Sequence, residues 1–107
     1  MKLIPTEKLE PIIAHAIMKD PKYATFLSDA LTIEWFKDPG YGSIIDLVFK
    51  FYSKKARLPK FKTLDLLLAK KYPKEYEDIA PKLNIIKHID LDGYDRDLLD
   101  EEILEYL

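Results

Sequence analysis

The chain has 107 residues, 48% hydrophobic and 34% charged, with a net charge of −2, two histidines and no cysteine. That length holds one domain around one core, and the absence of cysteine excludes a disulfide framework, a thiolate metal site and a cysteine nucleophile. No apolar run approaches the roughly 20 residues of a membrane span, and the amino terminus (Lys2, Pro5, Glu7, Lys8, Glu10) has no signal-peptide core, so the expectation is a cytoplasmic domain that does not contact a membrane.

Leu and Ile supply sixteen and twelve residues, Val48 is the single valine, and nothing alternates apolar with polar over strand length. Unbranched and γ-branched side chains lose little rotamer freedom in helices, so the chain reads as all-α. A first helix is expected over 7–18, with Leu9, Ile12, Ile13, Ala16 and Ile17 on one face. Pro11 fits a first turn, which would place the start later than Glu7, and His15 falls off the apolar face as a solvated side chain. Asp20-Pro21 pairs an N-cap acceptor with a proline suited to the first helical position. It should open a short helix carrying Tyr23, Phe26, Leu27 and Ala30, and Thr32 can cap one more turn with Ile33, Trp35 and Phe36, the last two as core anchors.

Asp38-Pro39 repeats the signal and begins the longest helix, 39–55. Ser43, Asp46, Lys50, Ser53 and Lys54 form a narrow polar stripe, with apolar residues around the rest, the pattern of a helix packed on several sides. Arg57-Leu58-Pro59 ends it. A helix over 60–71 turns Phe61, Leu64, Leu67 and Leu68 inward, and one over 74–89 presents Ile79, Leu83, Ile86 and Ile89, with Pro81 expected to kink or split it. Residues 90–94 read as a loop. A last helix from Asp95 or Arg96 has acids in its first turn, where the helix dipole favours them, and Leu99, Ile103, Tyr106 and Leu107 on one face.

Charge is segregated along the chain. Residues 50–71 carry eight cations (Lys50, Lys54, Lys55, Arg57, Lys60, Lys62, Lys70, Lys71) and one acid, Asp65, whereas 90–107 carry eight acids against Arg96. Aromatics interleave with the cations from Phe49 to Lys62, so Lys50, Lys54, Lys55, Arg57, Lys60 and Lys62 are candidate contacts to an acidic protein surface or to nucleic acid. The plain alternative is a solvated rim, with Phe49 and Tyr52 turned inward. There is no phosphate-cradling GxxxxGK[ST] loop or dinucleotide fingerprint, and neither His15 nor His88 has a second ligand at metal-binding spacing. The carboxylates of the tail fit an exposed acidic face better than a pair of catalytic acids. The expectation is a chain with no catalytic, metal or cofactor site.

The order of these signals has a counterpart: an apolar first helix (Pro11 to Met18), Asp20-Pro21, Phe26-Leu27, Trp35-Phe36, Asp38-Pro39, the apolar run Ile44 to Tyr52, and a basic turn ending in Leu58-Pro59 before Leu64 to Leu68. Over about residues 9–70 this resembles the N-terminal domain of DnaB-type replicative helicases, and looks most like the T-even phage branch. The resemblance implies a small orthogonal bundle of five to six helices over 1–94, with 95–107 as the start of a helical hairpin truncated at Leu107. It implies a non-catalytic collar, in which copies associate into a hexameric ring and a primase or helicase loader docks during DNA replication. ATP and Mg would belong to a motor domain outside this chain, and a phage-encoded protein would act in the host cytoplasm. Leu99, Ile103 and Tyr106 would then serve subunit packing. Gly40-Tyr41-Gly42-Ser43 stand where many bacterial members carry a basic pair, so no partner contact is carried onto them. Two rivals stay open: a small nucleic-acid-binding helical module using 50–71, and the related helical domain of a primase or loader.

Overall fold

The structure, a computed structural model, describes residues 6–19 and 36–106, and of residues 6, 7, 92, 96 and 104–106 the backbone alone. The helix expected after Asp20-Pro21 and the turn after Thr32, with Trp35, lie outside the described residues. Those described form five α-helices and no strand: α1 Thr6–Lys19, α2 Pro39–Lys55, α3 Phe61–Lys71, α4 Tyr76–Lys87 and α5 Arg96–Tyr106, with a 3₁₀ turn at Leu91–Gly93 before α5. The fold is a small all-α bundle. No described helix is long and apolar enough to cross a membrane.

α2 and α4 hold the bundle together. Each packs against α1, α3 and the other. Ile44, Ile45 and Val48 of α2 meet Leu64 and Leu68 of α3 and Ile79, Leu83 and Ile86 of α4 in one buried cluster. Phe36, just before α2, is part of that cluster. Burying a side chain of this size contributes roughly 1.5–3 kcal/mol, which is why the apolar spacing, more than propensity, decides the helices.

Three expectations need correction. α1 begins at Thr6, and Pro11 stands inside it. A proline there forfeits the bond to the Glu7 carbonyl, but every residue from Leu9 to Met18 is buried, and that burial outweighs the lost bond. Of the kink or split expected at Pro81, the split does not occur: α4 runs as one element from Tyr76 to Lys87. His15 is not solvated: it is 6% exposed, and its Nδ1 donates to the Ile86 carbonyl oxygen at 2.6 Å, fastening α1 to the last turn of α4.

The amino-terminal end of α2 is closed by a polar network. Asp38 caps the helix, its Oδ1 accepting from the Gly40 N–H at 2.9 Å, while its Oδ2 takes the Lys82 ammonium at 2.6 Å. Beneath it Glu10, only 2% exposed, accepts from the N–H groups of Lys37 and Asp38, both at 3.1 Å. The chain entering α2 is thereby tied to α1. Gly40 leaves room for this, because a Cβ there would stand 2.4 Å from Lys82 Cδ. The Lys82 ammonium also lies 5.5 Å from the centre of the Tyr41 ring. Burial, then the Asp38 and Glu10 charges, push the Tyr41 hydroxyl above its ordinary pKa of 10.0.

Candidate functional site

The opposite end of α2 is open. Its last turn carries Lys54 and Lys55, and the chain leaves through Ala56 in the left-handed conformation (φ 56°), the one non-glycine described residue there. That turn brings the Arg57 guanidinium to 5.1 Å from the centre of the Phe51 ring. The half-buried Leu58 and buried Pro59 then lead the chain into α3. The short reversal sets α3 beside the carboxyl-terminal half of α2.

Between them lies a groove of about 410 Å³. Leu47, Phe51 and Leu67 supply apolar surface, and Lys50, Lys54, Lys70 and Lys71 surround it with ammonium groups. The lysines are exposed and the three apolar side chains partly or fully buried, so one wall is greasy and the rim is cationic. Asp46 pairs with Lys50 at 2.9 Å and, by that hydrogen bond, raises the pKa of its ammonium. Arg57, stacked on Phe51, extends the positive rim towards the turn.

The run of predicted contact residues therefore divides. Lys50 and Lys54 line the groove and Arg57 reaches it through Phe51, whereas Lys55 and Lys60 are exposed outside its lining. Lys62 belongs to a second groove of about 460 Å³ between α3 and α4, with Phe61, Asp65, Leu66 and Lys87 among its walls. There Asp65 accepts a hydrogen bond from the Tyr76 hydroxyl at 2.6 Å, which holds that phenol protonated above its usual range. Lys70 and Lys71 were not among the predicted contacts. Their signal was present, since they close α3 one turn after Leu67, but it needed the packing of α3 on α2 to become meaningful.

None of the family models, curated proteins or solved structures compared with the chain matches it. The site is thus read from its own chemistry. Among the described residues no group of three or more His, Asp or Glu could hold a metal ion. His88 is exposed and donates from Nδ1 to the Asn84 carbonyl within its own turn at 2.9 Å. The groove offers instead hydrophobic contact bounded by cations, an arrangement suited to an amphipathic acidic surface or to a stacked, phosphate-bearing strand.

The residues expected to pack between subunits divide too. Leu99 and Ile103 are each 2% exposed within this chain's own core, so they could reach a neighbour only if α5 left the bundle. The side chain of Tyr106 lies outside the described residues. What α5 turns outward is Leu98, 44% exposed, together with Asp97, Asp100 and Glu101.

Proposed function

We propose that this chain is a non-catalytic docking domain, the N-terminal collar of a phage-type replicative DNA helicase, acting in the host cytoplasm where it assembles with its own copies and holds a primase or helicase loader. ATP and Mg would serve a separate motor domain. The observation that supports this most is the groove between α2 and α3, a preformed apolar surface ringed by ammonium groups on a rigid helical scaffold. The sequence resemblance supplies the family, and the all-α bundle agrees with it.

A protein partner is favoured over nucleic acid by the groove's apolar share: Leu47, Phe51 and Leu67 want side chains, whereas a phosphate backbone would leave two of these three, the aliphatic ones, unused. Calorimetric titration of the chain with the primase and the loader from the same source tests the reading. Micromolar binding to one of them, weakened at least about tenfold by the Lys54→Glu, Lys70→Glu double change, is the expected result. No binding to either partner, or binding indifferent to both lysines, would discard it. A single-stranded oligonucleotide is the matching control. Tight binding that falls steeply with salt would favour the nucleic-acid module, because phosphate contacts release counterions.

A further inference from the structure

We propose that the groove between α2 and α3 receives the outer face of α5 from a second copy of this chain, in a head-to-tail contact. This goes beyond the collar reading by naming both surfaces of a self-contact, and it depends on charge and shape alone.

One half of the argument is the groove. Its rim carries Lys50, Lys54, Lys70 and Lys71, of which Lys50 is matched by Asp46, and among the described residues only α2 and α3 line it. No described side chain of α5 lines it. The other half is α5. The helix buries Leu99, Glu102 and Ile103, which fixes the opposite face as the one presented to solvent. Asp97, Leu98 and Glu101 share that face at three- and four-residue spacing, with Tyr94 and Asp95 just before the helix. Leu98 and Tyr94 are 44% and 40% exposed, large apolar side chains left uncovered.

The two surfaces answer one another. An apolar ridge flanked by Asp97 and Glu101 meets an apolar wall flanked by Lys54, Lys70 and Lys71, so hydrophobic contact and opposite charge coincide in one placement. Each surface is repelled by its own kind, lysine rim by lysine rim and carboxylate ridge by carboxylate ridge. That excludes a symmetric pairing of groove with groove or ridge with ridge. Contacts of this type, using different surfaces on the two copies, close into rings or continue as filaments according to the rotation between neighbours. The segregated charge of the sequence, cations in 50–71 and acids in 90–107, is then the signature of a chain that binds itself end to end.

Sedimentation velocity of the whole chain tests the proposal, with circular dichroism showing that each variant stays helical. All four substituted residues are exposed, so the bundle should tolerate the changes. At low ionic strength the average mass of the native chain should rise with concentration, and added salt should return it to the monomer as the Debye length contracts. The groove variant K54E/K70E and the ridge variant D97K/E101K should each remain monomeric. Mixed in equal amounts they should associate, because the reversed groove of one now faces the reversed ridge of the other. A native chain that stays monomeric at every concentration, variants that associate like the native chain, or an inert mixture would each overturn the proposal. Loss of labelled oligothymidylate binding in K54E/K70E, with the native mass unchanged, would assign the groove to nucleic acid and equally overturn it. Binding of a primase is a separate readout: a chain that binds primase yet stays monomeric keeps the collar reading and removes the self-contact.

Discussion

The two ends of α2 both gather charged side chains and do different work. At the amino end both carboxylates have defined counterparts: Asp38 holds the Gly40 N–H and Lys82, and Glu10 holds the N–H groups of Lys37 and Asp38. At the carboxyl end Lys54, Lys70 and Lys71 gather around partly buried apolar surface with a single acid, Asp46, committed to Lys50. A charge satisfied within the fold fixes the chain, whereas an excess of one sign beside apolar surface is available to something outside. Lysine content alone does not separate the two, because Lys82 and Lys54 differ only in what the fold puts beside them.

The contrast can be tested from its strongest side first. Glu10→Ala leaves two part-buried N–H groups without their acceptor, and should lower unfolding free energy by about 2–6 kcal/mol in urea titration, since each orphaned donor costs roughly 1–3 kcal/mol. Ligand binding in the distant groove should survive under native conditions.

Alkaline pH probes the same closed end. The neutral Tyr41 phenol is favoured in the folded chain, so its contribution is complete below its ordinary pKa of 10.0 and disappears as pH rises through the higher folded value. Tyr41→Phe has no hydroxyl to ionise. Its stability should therefore fall less steeply than the native chain's above pH 10.0, as followed by denaturant melts across that range. Equal slopes would mean that Tyr41 is not protected by burial and by its acidic neighbours.

At the open end the effects should be small. Ala56 occupies a left-handed cap where glycine pays no steric penalty, so Ala56→Gly should raise stability by about 0.5–1 kcal/mol in thermal melts while leaving the turn intact. Replacing Lys54 and Lys70 together by Ala should change stability by less than about 0.5 kcal/mol, as expected for surface positions. A large loss there would show that the rim is structural.

Much of the scaffold was legible because its signals are local. Asp38-Pro39 announces α2 through capping and fixed φ, and the boundaries of α3 follow from Pro59 and the spacing of Leu64 and Leu68. Pro11 and Pro81 misled because a proline's effect depends on whether burial on both sides compensates for one lost bond, and that is a tertiary fact. His15 and Glu10 were invisible as core residues for the same reason: their partners, the Ile86 carbonyl and the N–H groups at 37 and 38, are backbone atoms far along the chain. Of the candidate site, the cationic character was readable from residues 50–71. Its division into a groove with Lys70 and Lys71, and a remainder facing elsewhere, required the packing of α3 on α2.

Amide chemical shifts recorded while the chain is titrated with its docking partner, or with itself, report most directly on the claim that the open end of α2 is the working surface. The account predicts that the perturbed amides cluster at Lys50, Phe51, Lys54, Leu67, Lys70 and Lys71, joined by Asp97, Leu98 and Glu101 in the self-titration, with Asp38, Gly40 and Lys82 unmoved. Perturbation centred on Asp38 and Lys82, with the groove silent, would contradict it.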